Sequence, residues 1–289
     1  MISRNQPTES KSSAILTSLG VAEENLHVLG IEPQDLVDVY NDYITRYAEL
    51  TNIAASVSDM LLKATGVHAV RSRIKDPMHL LHKIIRKKKE YPDRITTSLN
   101  YLDVVNDLVG VRVLHLYKEN WKSIAEYIQN VWDLKRSPYA YIHNNDTKQD
   151  INDFISNGYK VMPHQFGYRA VHFVIKTNPN KRQYFAEIQV RTLFEEAWSE
   201  IDHNIRYPDQ EHYLLLDDLL QLLNKLTGYA DDTASQILTL ANIMSAPEKQ
   251  YKTRKQEVAA QLEHHISGLP IKEDEKQQLY QRINQVLKH

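Results

Sequence analysis

The chain has 289 residues, of which 42% are hydrophobic, so a sizeable core is expected and wholesale disorder is excluded. Its formal net charge is −2 at pH 7, which excludes binding of polyanions through global charge and requires any nucleotide site to have a local basic cluster. Cysteine is absent, which excludes disulfide bonds, thiol catalysis and cysteine-ligated zinc.

The N-terminal region and the distribution of apolar residues predict a soluble, cytoplasmic protein without a membrane partner. Residues 1–26 mix Glu, Lys, Ser and Asn and lack the apolar core of a secretory signal. No apolar run approaches the roughly 18 residues that a bilayer-spanning helix needs.

The first third of the chain contains helix signals followed by one strong strand signal. Residues 1–12 are polar and expected to be loose, whereas apolar residues recur at helical spacing over 32–65 and predict one or two helices. Asp76-Pro77 predicts a helix start, because Asp can cap and Pro tolerates the first helical position; the helix should reach about Lys89. The sequence VGVRVLHL at 109–116 is typical of a central, buried strand.

The remaining elements alternate at first and then become entirely helical. The expected elements are a helix at 121–131, a strand near 134–142, a helix at 150–156, strands at 168–177 and 183–191, and helices at 192–206, 214–226, 230–244, 249–266 and 273–287. The two later strands should form a hairpin, and Gly228 should separate two helices. The sequence therefore predicts an α+β core with N-terminal helices, divided as residues 1–30, 31–210 and an all-helical extension over 211–289.

The segment from Arg71 to Arg94 is strongly basic, with nine Lys and Arg residues against three acids. One face of its predicted helix carries His79, Lys83 and Arg86. Arg73 and Lys75 precede the helix, where backbone N–H groups favour anions. The segment suits a triphosphate, although a solvated basic face or a nucleic-acid patch explains it as well.

Asp107 stands at the entrance to the predicted central strand, where a carboxylate can hold a hard cation such as Mg²⁺. Arg112 lies inside that strand and needs an anionic partner, because a buried guanidinium without one is costly. A structural ion pair between Asp107 and Arg112 is the simpler alternative.

Strand alternation predicts a polar face on the hairpin. One strand places Glu187, Gln189 and Arg191 on a single face, and the other does so with Tyr168, Ala170 and His172. If these faces coincide, a ring, an imidazole and a carboxylate converge. Two acids on separate strands with many cations suit metal-assisted phosphoryl transfer, while simple solvent exposure of a surface strand is the alternative.

Four blocks in order resemble the synthetase domain of the RelA/SpoT alarmone synthetases: RSRIKDPMHLLHKIIRK, NDLVGVRVLHL, GYRAVHFVI and AEIQVRTLFEEAWSEIDHNIRY. They span about residues 71–207. The resemblance implies a nucleotidyltransferase-like mixed β-sheet flanked by helices. It also implies an ATP-dependent pyrophosphokinase that moves the β,γ-diphosphate of ATP to the 3′-hydroxyl of GDP or GTP, giving (p)ppGpp. Because the His-Asp hydrolase motif is missing from the sequence, a small synthetase-only member is expected.

The same resemblance assigns residue roles. Asp107 and Glu187 are expected to ligate Mg²⁺, and Glu187 is also the candidate general base. The residues expected to hold the phosphates and adenine of ATP are Arg73, Lys75, Lys83, Arg86 and Arg112. Tyr168 is expected to stack on the acceptor base, with His172 and Gln189 beside the acceptor.

Several positions depart from the family pattern, mostly on the acceptor side. His79 stands where Ser is common, and Ala170 replaces a frequent Ser. The loop before Tyr168 reads Pro163-His164-Gln165-Phe166-Gly167 instead of the usual Pro-Lys-x-Asn-Gly. His203 in the last block is expected to be supportive. The resemblance therefore supports the ATP chemistry more fully than the identity of the acceptor.

Two other functions compete with (p)ppGpp synthesis. A toxin-type member of the family pyrophosphorylates the 3′ end of tRNA or makes adenosine alarmones, and the altered loop and the basic run 86–89 leave this open. A catalytically silent nucleotide or RNA sensor is the third hypothesis, although the presence of Asp107 and Glu187 disfavours it. The C-terminal helices are expected to cover the core, to form a homo-oligomer, or to bind a regulator or antitoxin.

Overall fold

The computed structural model describes residues 6–142, 148–164, 166–206, 214–245 and 248–287. The helices are α1 (Gln6–Leu19), α2 (Glu23–Val28), α3 (Pro33–Leu61), α4 (Pro77–Glu90), α5 (Tyr101–Val104), α6 (Trp121–Val131), α7 (Lys148–Ser156), α8 (Leu193–Arg206), α9 (Leu214–Met244), α10 (Glu248–Gly268) and α11 (Glu273–Leu287). The strands are β1 (Val67–Ile74), β2 (Val109–His115), β3 (Tyr139–Ile142), β4 (Lys160–Pro163), β5 (Ala170–Thr177) and β6 (Tyr184–Thr192). The α+β class expected from the sequence is confirmed.

The strands form one mixed sheet in the order β1-β2-β6-β5-β3-β4. β2 and β6 run parallel at its centre, as do β3 and β4 at one edge. The β1–β2, β6–β5 and β5–β3 pairs are antiparallel. Because β2 and β6 are neighbours in the sheet but far apart in the chain, their pairing brings Gly110 next to Glu187.

One face of the sheet carries the hydrophobic core. The alternate residues Val109, Val111 and Val113 of β2 are fully buried in the same cluster as the inner side of α3. Burial of a side chain of this size contributes about 1.5–3 kcal/mol, so it fixes which face of β2 points inward. The intervening residues Gly110 and Arg112 therefore face the opposite side of the sheet.

Helix α4 begins where the sequence predicts. One side-chain oxygen of Asp76 accepts hydrogen bonds from the backbone N–H groups of Met78 (2.9 Å) and His79 (3.0 Å), and Pro77 occupies the first helical position. Such a cap typically stabilises a helix by about 1 kcal/mol. The cap sets the start of α4 directly after β1, so that Lys75 and Lys83 lie near the same sheet end.

The N-terminal region is more ordered than expected. α1 begins at Gln6, so the expectation of a loose segment over 1–12 is wrong from that residue on; residues 1–5 lie outside the described residues. Leu19 and Leu26 are buried in the main core, which explains why a polar sequence without clear periodicity still packs. The division of the chain into three parts stays a prediction.

The sequence pattern predicts neither of the two edge strands of the sheet, β1 and β4. β1 carries charged and polar residues on much of its length, and β4 is four residues long. Short or charged strands are typical of sheet edges, where they hinder pairing with other chains. Their sequences therefore lack the apolar pattern that reveals β2, β5 and β6.

Helix α9 is continuous, so the break expected at Gly228 is wrong. Glycine inside a helix costs about 0.5–1 kcal/mol relative to alanine, yet here the guanidinium of Arg169 lies alongside. A Cβ atom at Gly228 would lie 3.9 Å from a terminal nitrogen of Arg169. One turn earlier, Asn224 accepts a hydrogen bond from Arg169 at 3.1 Å. Packing against the rest of the protein thus overrides local helix propensity.

The C-terminal helices have a hydrophobic cluster of their own. Its buried members are Ile243, Val258, Ala259, Ile266 and Ile283, from α9, α10 and α11. The helices expected at 249–266 and 273–287 are thereby confirmed. Of the helices in the described residues, none is long and apolar enough to cross a membrane.

Asp231 anchors the middle of α9 against the start of α8. It is 1% exposed, and one of its oxygens accepts a hydrogen bond from the Thr192 hydroxyl at 2.9 Å. Burial, with the charge of Glu195 acting in the same direction, raises the pKa of Asp231 to about 8. Burial also raises the pKa of Glu195. The fold therefore holds a proton on this pair of acids at neutral pH.

Asp231→Asn is expected to weaken the dependence of stability on pH. The raised pKa means that the folded state binds more protons than the unfolded state between about pH 4 and pH 8. This contribution to stability is complete below the unfolded pKa and is lost as the pH rises through the folded one. The free energy of unfolding of the wild type should therefore fall by up to about 1.4 kcal/mol per pH unit in this window. That of the Asn variant should fall less.

Urea unfolding at about pH 5, 6.5 and 8 measures this difference. Asp232→Asn is the matched control, since Asp232 is 46% exposed and pairs with Lys118 at the surface. Parallel pH profiles for wild type and Asp231→Asn would contradict the raised pKa.

Candidate active site

The face of β2, β5 and β6 opposite the core is polar. His172 on β5 is the cross-strand partner of Gln189, and Glu187 is the neighbour of Gly110 on β2. Glu187 and Gln189 are partly buried and Arg191 is 2% exposed. The predicted convergence of a ring, an imidazole and a carboxylate is confirmed, and simple solvent exposure of this face is wrong.

Asp107 lies just before β2 and is clamped by two lysines. One of its oxygens, Oδ2, is 2.9 Å from Nζ of Lys75 and 2.7 Å from Nζ of Lys83. Lys75 follows β1, and its carbonyl accepts a hydrogen bond from the buried Tyr43 hydroxyl at 2.6 Å. The pair of lysines thus joins β1 and α4 to the entrance of the central strand.

A cleft of about 60 Å³ lies beside Asp107 on the polar face of the sheet. Asp107 and Glu187 both line it, together with Arg73, Gly110 and Gln189. Arg73 reaches it from β1, where it is the cross-strand partner of Gly110. A larger cavity of about 90 Å³ lies beside His115 and Thr192, but neither Asp107 nor Glu187 lines it. The two candidate catalytic carboxyls therefore lie on the smaller cleft.

Arg112 also lines the cleft, but its charge is already matched. Its NH1 group is 2.9 Å from Glu196 and also contacts Glu200, both on α8. The alternative of an ion pair with Asp107 is therefore wrong, since the two residues bind different partners. Both glutamates lie one turn apart on α8, which packs over this side of the sheet.

Three predicted ATP ligands do not line the cleft: Lys75 and Lys83, which contact Asp107, and Arg86. The guanidinium of Arg86 is 65% exposed and lies 3.7 Å from Glu90 of the same helix. It shares a helix face with Lys83 but lies nearly one turn farther along α4. Its role in ATP binding stays a prediction.

A chain of hydrogen bonds runs along β6 from the cleft. The Gln189 amide donates to Oε2 of Glu187 at 3.0 Å, and Arg191 donates to Oε1 of Gln189 at 2.7 Å. Arg191 is in turn 3.1 Å from Glu196. These bonds fix the amide of Gln189 and hold Glu187 in one orientation.

His172 links Glu187 to Tyr168. Its Nδ1 is 3.6 Å from Oε1 of Glu187, and its Nε2 is 2.8 Å from the Tyr168 hydroxyl. An ionised Glu187 favours the proton on Nδ1, so that Nε2 accepts a hydrogen bond from Tyr168. Burial raises the pKa of Tyr168 to about 12, which keeps its hydroxyl protonated.

The Tyr168 ring sits among other rings without stacking on any of them. The rings of Tyr141, His164 and His172 meet it at interplanar angles of 69°, 56° and 82°. The Arg191 guanidinium lies 5.2 Å from its centroid. Tyr168 precedes β5 rather than lying within it, and Gln165 in the preceding loop lies outside the described residues.

The two cleft carboxyls are held in their charged form. Burial raises the pKa of Asp107, but the charges and hydrogen bonds of Lys75 and Lys83 outweigh it and lower the pKa overall. Burial likewise opposes ionisation of Glu187, yet His172, Gln189 and Lys83 together lower its pKa to about 2. Both groups are therefore anionic at neutral pH.

The motif blocks fall on this cleft, and residues 72–212 match the family described as a region found in RelA / SpoT proteins. Residues 72–212 therefore form a RelA/SpoT-type synthetase domain. Two proteins of Bacillus subtilis (strain 168) are similar to it. GTP pyrophosphokinase YwaC is 25% identical over 171 residues, which cover 57% of this chain and 71% of YwaC. GTP pyrophosphokinase YjbM is 23% identical over 145 residues, which cover 49% of this chain and 57% of YjbM.

The small alarmone synthetase 1 from Bacillus subtilis has the same fold, with a TM-score of 0.50, 17% identity, and coverage of 70% of this chain and 94% of that one. The mixed sheet with flanking helices is thus the synthetase fold. The family match and the curated relatives make the chain a pyrophosphokinase.

Synthetases of this family generally use a divalent metal, and the cleft fits one. Oδ1 of Asp107 is buried and has no hydrogen-bond partner, although Oδ2 contacts both lysines. Glu187 supplies a second carboxylate to the cleft. Within the described residues, no cluster of three or more His, Cys, Asp or Glu could hold a metal ion. Mg²⁺ commonly binds through one or two carboxylates with substrate phosphates and water completing its shell, which matches this donor set.

Sequence reasoning missed Tyr141, Glu196 and Glu200 as residues of this region. Tyr141 contacts His172 at 4.7 Å between ring centroids. Glu196 and Glu200 stand four residues apart in the last motif block, which places them on one helix face. That spacing was the available signal, whereas nothing in the sequence assigns Arg112 as their partner.

Proposed function

We propose that this synthetase transfers the β,γ-diphosphate of ATP to the 3′-hydroxyl of GDP or GTP. The observation that carries the proposal is the cleft itself. Asp107 and Glu187 line it, cations approach from the β1–α4 side, and the Tyr168–His172 pair approaches from β5. The likeness to two enzymes named GTP pyrophosphokinase supports a guanine acceptor.

In the proposed reaction the acceptor 3′-oxygen attacks the β-phosphorus of ATP. A bond forms between these atoms, the bond from the β-phosphorus to the α,β-bridging oxygen breaks, and AMP leaves with that oxygen. Arg73, Lys75 and Lys83 bind the phosphates and balance their charge. The proton of the hydroxyl passes to Glu187.

Glu187 is a weak base in the resting site because its pKa is about 2. Part of that lowering comes from Lys83. When Lys83 turns to a phosphate, Glu187 loses a nearby cation, which raises the basicity of a carboxylate oxygen that does not contact a metal. We assign Mg²⁺ to Asp107 and Glu187; when bound, such an ion neutralises phosphate charge and acidifies a nearby hydroxyl.

One assay separates the acceptor hypotheses. Purified protein is incubated with ATP labelled on its terminal phosphates and, separately, with GDP, GTP, ADP or bulk tRNA. Label on GDP or GTP supports the proposal, and label on tRNA or ADP alone overturns the guanine acceptor. Absence of transfer to any of them would favour the silent sensor, against which the presence of both carboxylates in the cleft argues.

Tyr168→Ala is expected to raise the KM for the acceptor without changing the KM for ATP. Loss of stacking on a nucleobase costs about 1–3 kcal/mol, which is about 5- to 150-fold in affinity. Tyr168→Phe is the matched variant, because it keeps the ring but removes the hydroxyl that contacts His172. Near-normal acceptor KM in the Phe variant would support stacking, whereas equal loss in both would assign the effect to the hydroxyl.

A cytoplasmic location and assembly through the C-terminal helices stay predictions. Leu215, Leu219 and Leu222 of α9 are 69%, 51% and 53% exposed. Their spacing forms an apolar stripe on a helix. The solution mass of the purified protein tests homo-oligomerisation, and contact with a regulator or antitoxin requires its own binding assay.

A further inference from the structure

The C-terminal helix α9 reaches back to the loop that carries Tyr168. Asn224, on the buried side of α9, is only 2% exposed. Its amide nitrogen donates a hydrogen bond to the Gly167 carbonyl at 3.0 Å, and its amide oxygen accepts one from the Arg169 guanidinium at 3.1 Å. One side chain thus binds the residues directly before and directly after Tyr168.

The chemistry of these two bonds fixes the orientation of the amide. A carbonyl can only accept a hydrogen bond and a guanidinium can only donate one. A flipped Asn224 would place its nitrogen against Arg169 and its oxygen against the Gly167 carbonyl, so both bonds would be lost. The side chain of Asn224 therefore matches this pair of partners in one way only.

The loop has further constraints on its other side. Gly167 adopts a positive φ of 80°, and its N–H donates to the His164 carbonyl at 3.0 Å. That turn sets the direction in which the Gly167 carbonyl points, toward α9. The residue before Tyr168 is therefore fixed by the turn. The residue after it, Arg169, is fixed by its contacts with α9.

We propose that Asn224 is a positioning residue for the acceptor: by holding Gly167 and Arg169 it fixes the orientation of the Tyr168 ring. This inference rests on the proposed function, in which Tyr168 stacks on the acceptor base. It assigns α9 a role in acceptor affinity, although α9 lies outside the motif blocks. The acceptor loop departs from the family pattern in its central residues. The side chain of Asn224 adds an anchor from α9 to the turn at Gly167.

The test compares Asn224→Ala, Asn224→Asp and the wild type in steady-state transfer to whichever acceptor the wild type uses. Asn224→Ala should raise the acceptor KM by about tenfold, the factor expected for loss of buried hydrogen bonds. The KM for ATP should stay within about twofold of wild type, because the side-chain hydrogen bonds of Asn224 go to Gly167 and Arg169 on the acceptor side. Asn242→Ala is the matched control, as Asn242 is an exposed residue of the same helix.

Asn224→Asp keeps the size of the side chain and its bond to Arg169 but cannot donate to Gly167 when ionised. It should show the same rise in acceptor KM, and it supplies the test if the Ala variant does not fold. An unchanged acceptor KM in both folded variants overturns the inference, as does an equal loss in the ATP and acceptor KM. Failure of the wild type to transfer diphosphate to any acceptor would instead overturn the proposed function.

Discussion

Glu187→Gln is expected to lower the turnover number by about 10²–10⁴-fold with little change in ATP affinity. The amide can neither take the acceptor proton nor neutralise a cation, but it keeps the shape of the carboxylate. It can still accept the hydrogen bond from Gln189, which is 3.0 Å long in the wild type. Arg73 and Lys75, which the mutation leaves in place, would continue to hold the phosphates.

Turnover is measured with labelled ATP, and ATP affinity is measured by calorimetry with a non-hydrolysable analogue. Glu126→Gln is the matched control, since Glu126 is an exposed residue of α6. Titration with Mg²⁺ distinguishes the proposed role of Glu187 as a metal ligand from its proposed role as general base. Partial recovery of turnover at high Mg²⁺ would mean that Glu187 acts mainly as a metal ligand. Wild-type turnover in the variant would remove Glu187 from the mechanism.

Asp107→Asn is expected to lower turnover in the presence of Mg²⁺ and to strengthen ATP binding in its absence. Loss of the carboxylate leaves Lys75 and Lys83 without their shared partner. Without a divalent cation, ATP should therefore bind more tightly than to the wild type, because both lysines are available to its phosphates. With Mg²⁺ present, turnover should fall by about 10³-fold, since a metal ligand supplies several kcal/mol of transition-state stabilisation.

Calorimetry in EDTA and in Mg²⁺ measures ATP binding under each condition, and the transfer assay measures turnover. Asp59→Asn on α3 is the control, because Asp59 is exposed. Equal weakening of ATP binding in both buffers would mean that Asp107 serves only to organise the two lysines. Unchanged Mg²⁺ dependence of turnover would remove Asp107 as a metal ligand.

The positions of Asp107 and Glu187 beside the cleft could largely be predicted from the sequence because their signals are local. Asp107 precedes a strongly apolar strand, and the alternation in β6 places Glu187 and Gln189 on one face. Period and turn length also predict the β5–β6 hairpin, which the antiparallel pairing of the two strands confirms. Each of these inferences needs only a few neighbouring residues.

The partners of the charged residues could not be predicted, because they come from distant elements. Arg112 pairs with Glu196 and Glu200, more than 80 residues later in the chain. Arg86 shows a related limit, because helical spacing places it on the same face as Lys83, yet Lys83 contacts Asp107 and Arg86 lies beside Glu90. At Gly228, α9 likewise packs against Arg169, which is about 60 residues earlier in the chain, so the residues around Gly228 do not reveal this contact.

The shared lysine pair has a consequence for how the site receives its substrate. Lys75 and Lys83 both contact one oxygen of Asp107, so this carboxylate acts as their counter-ion before any nucleotide arrives. If the two lysines bind ATP as proposed, incoming phosphates replace the carboxylate as their partner. Nucleotide entry would then be an ion exchange within a preassembled site, in which ammonium groups change partners.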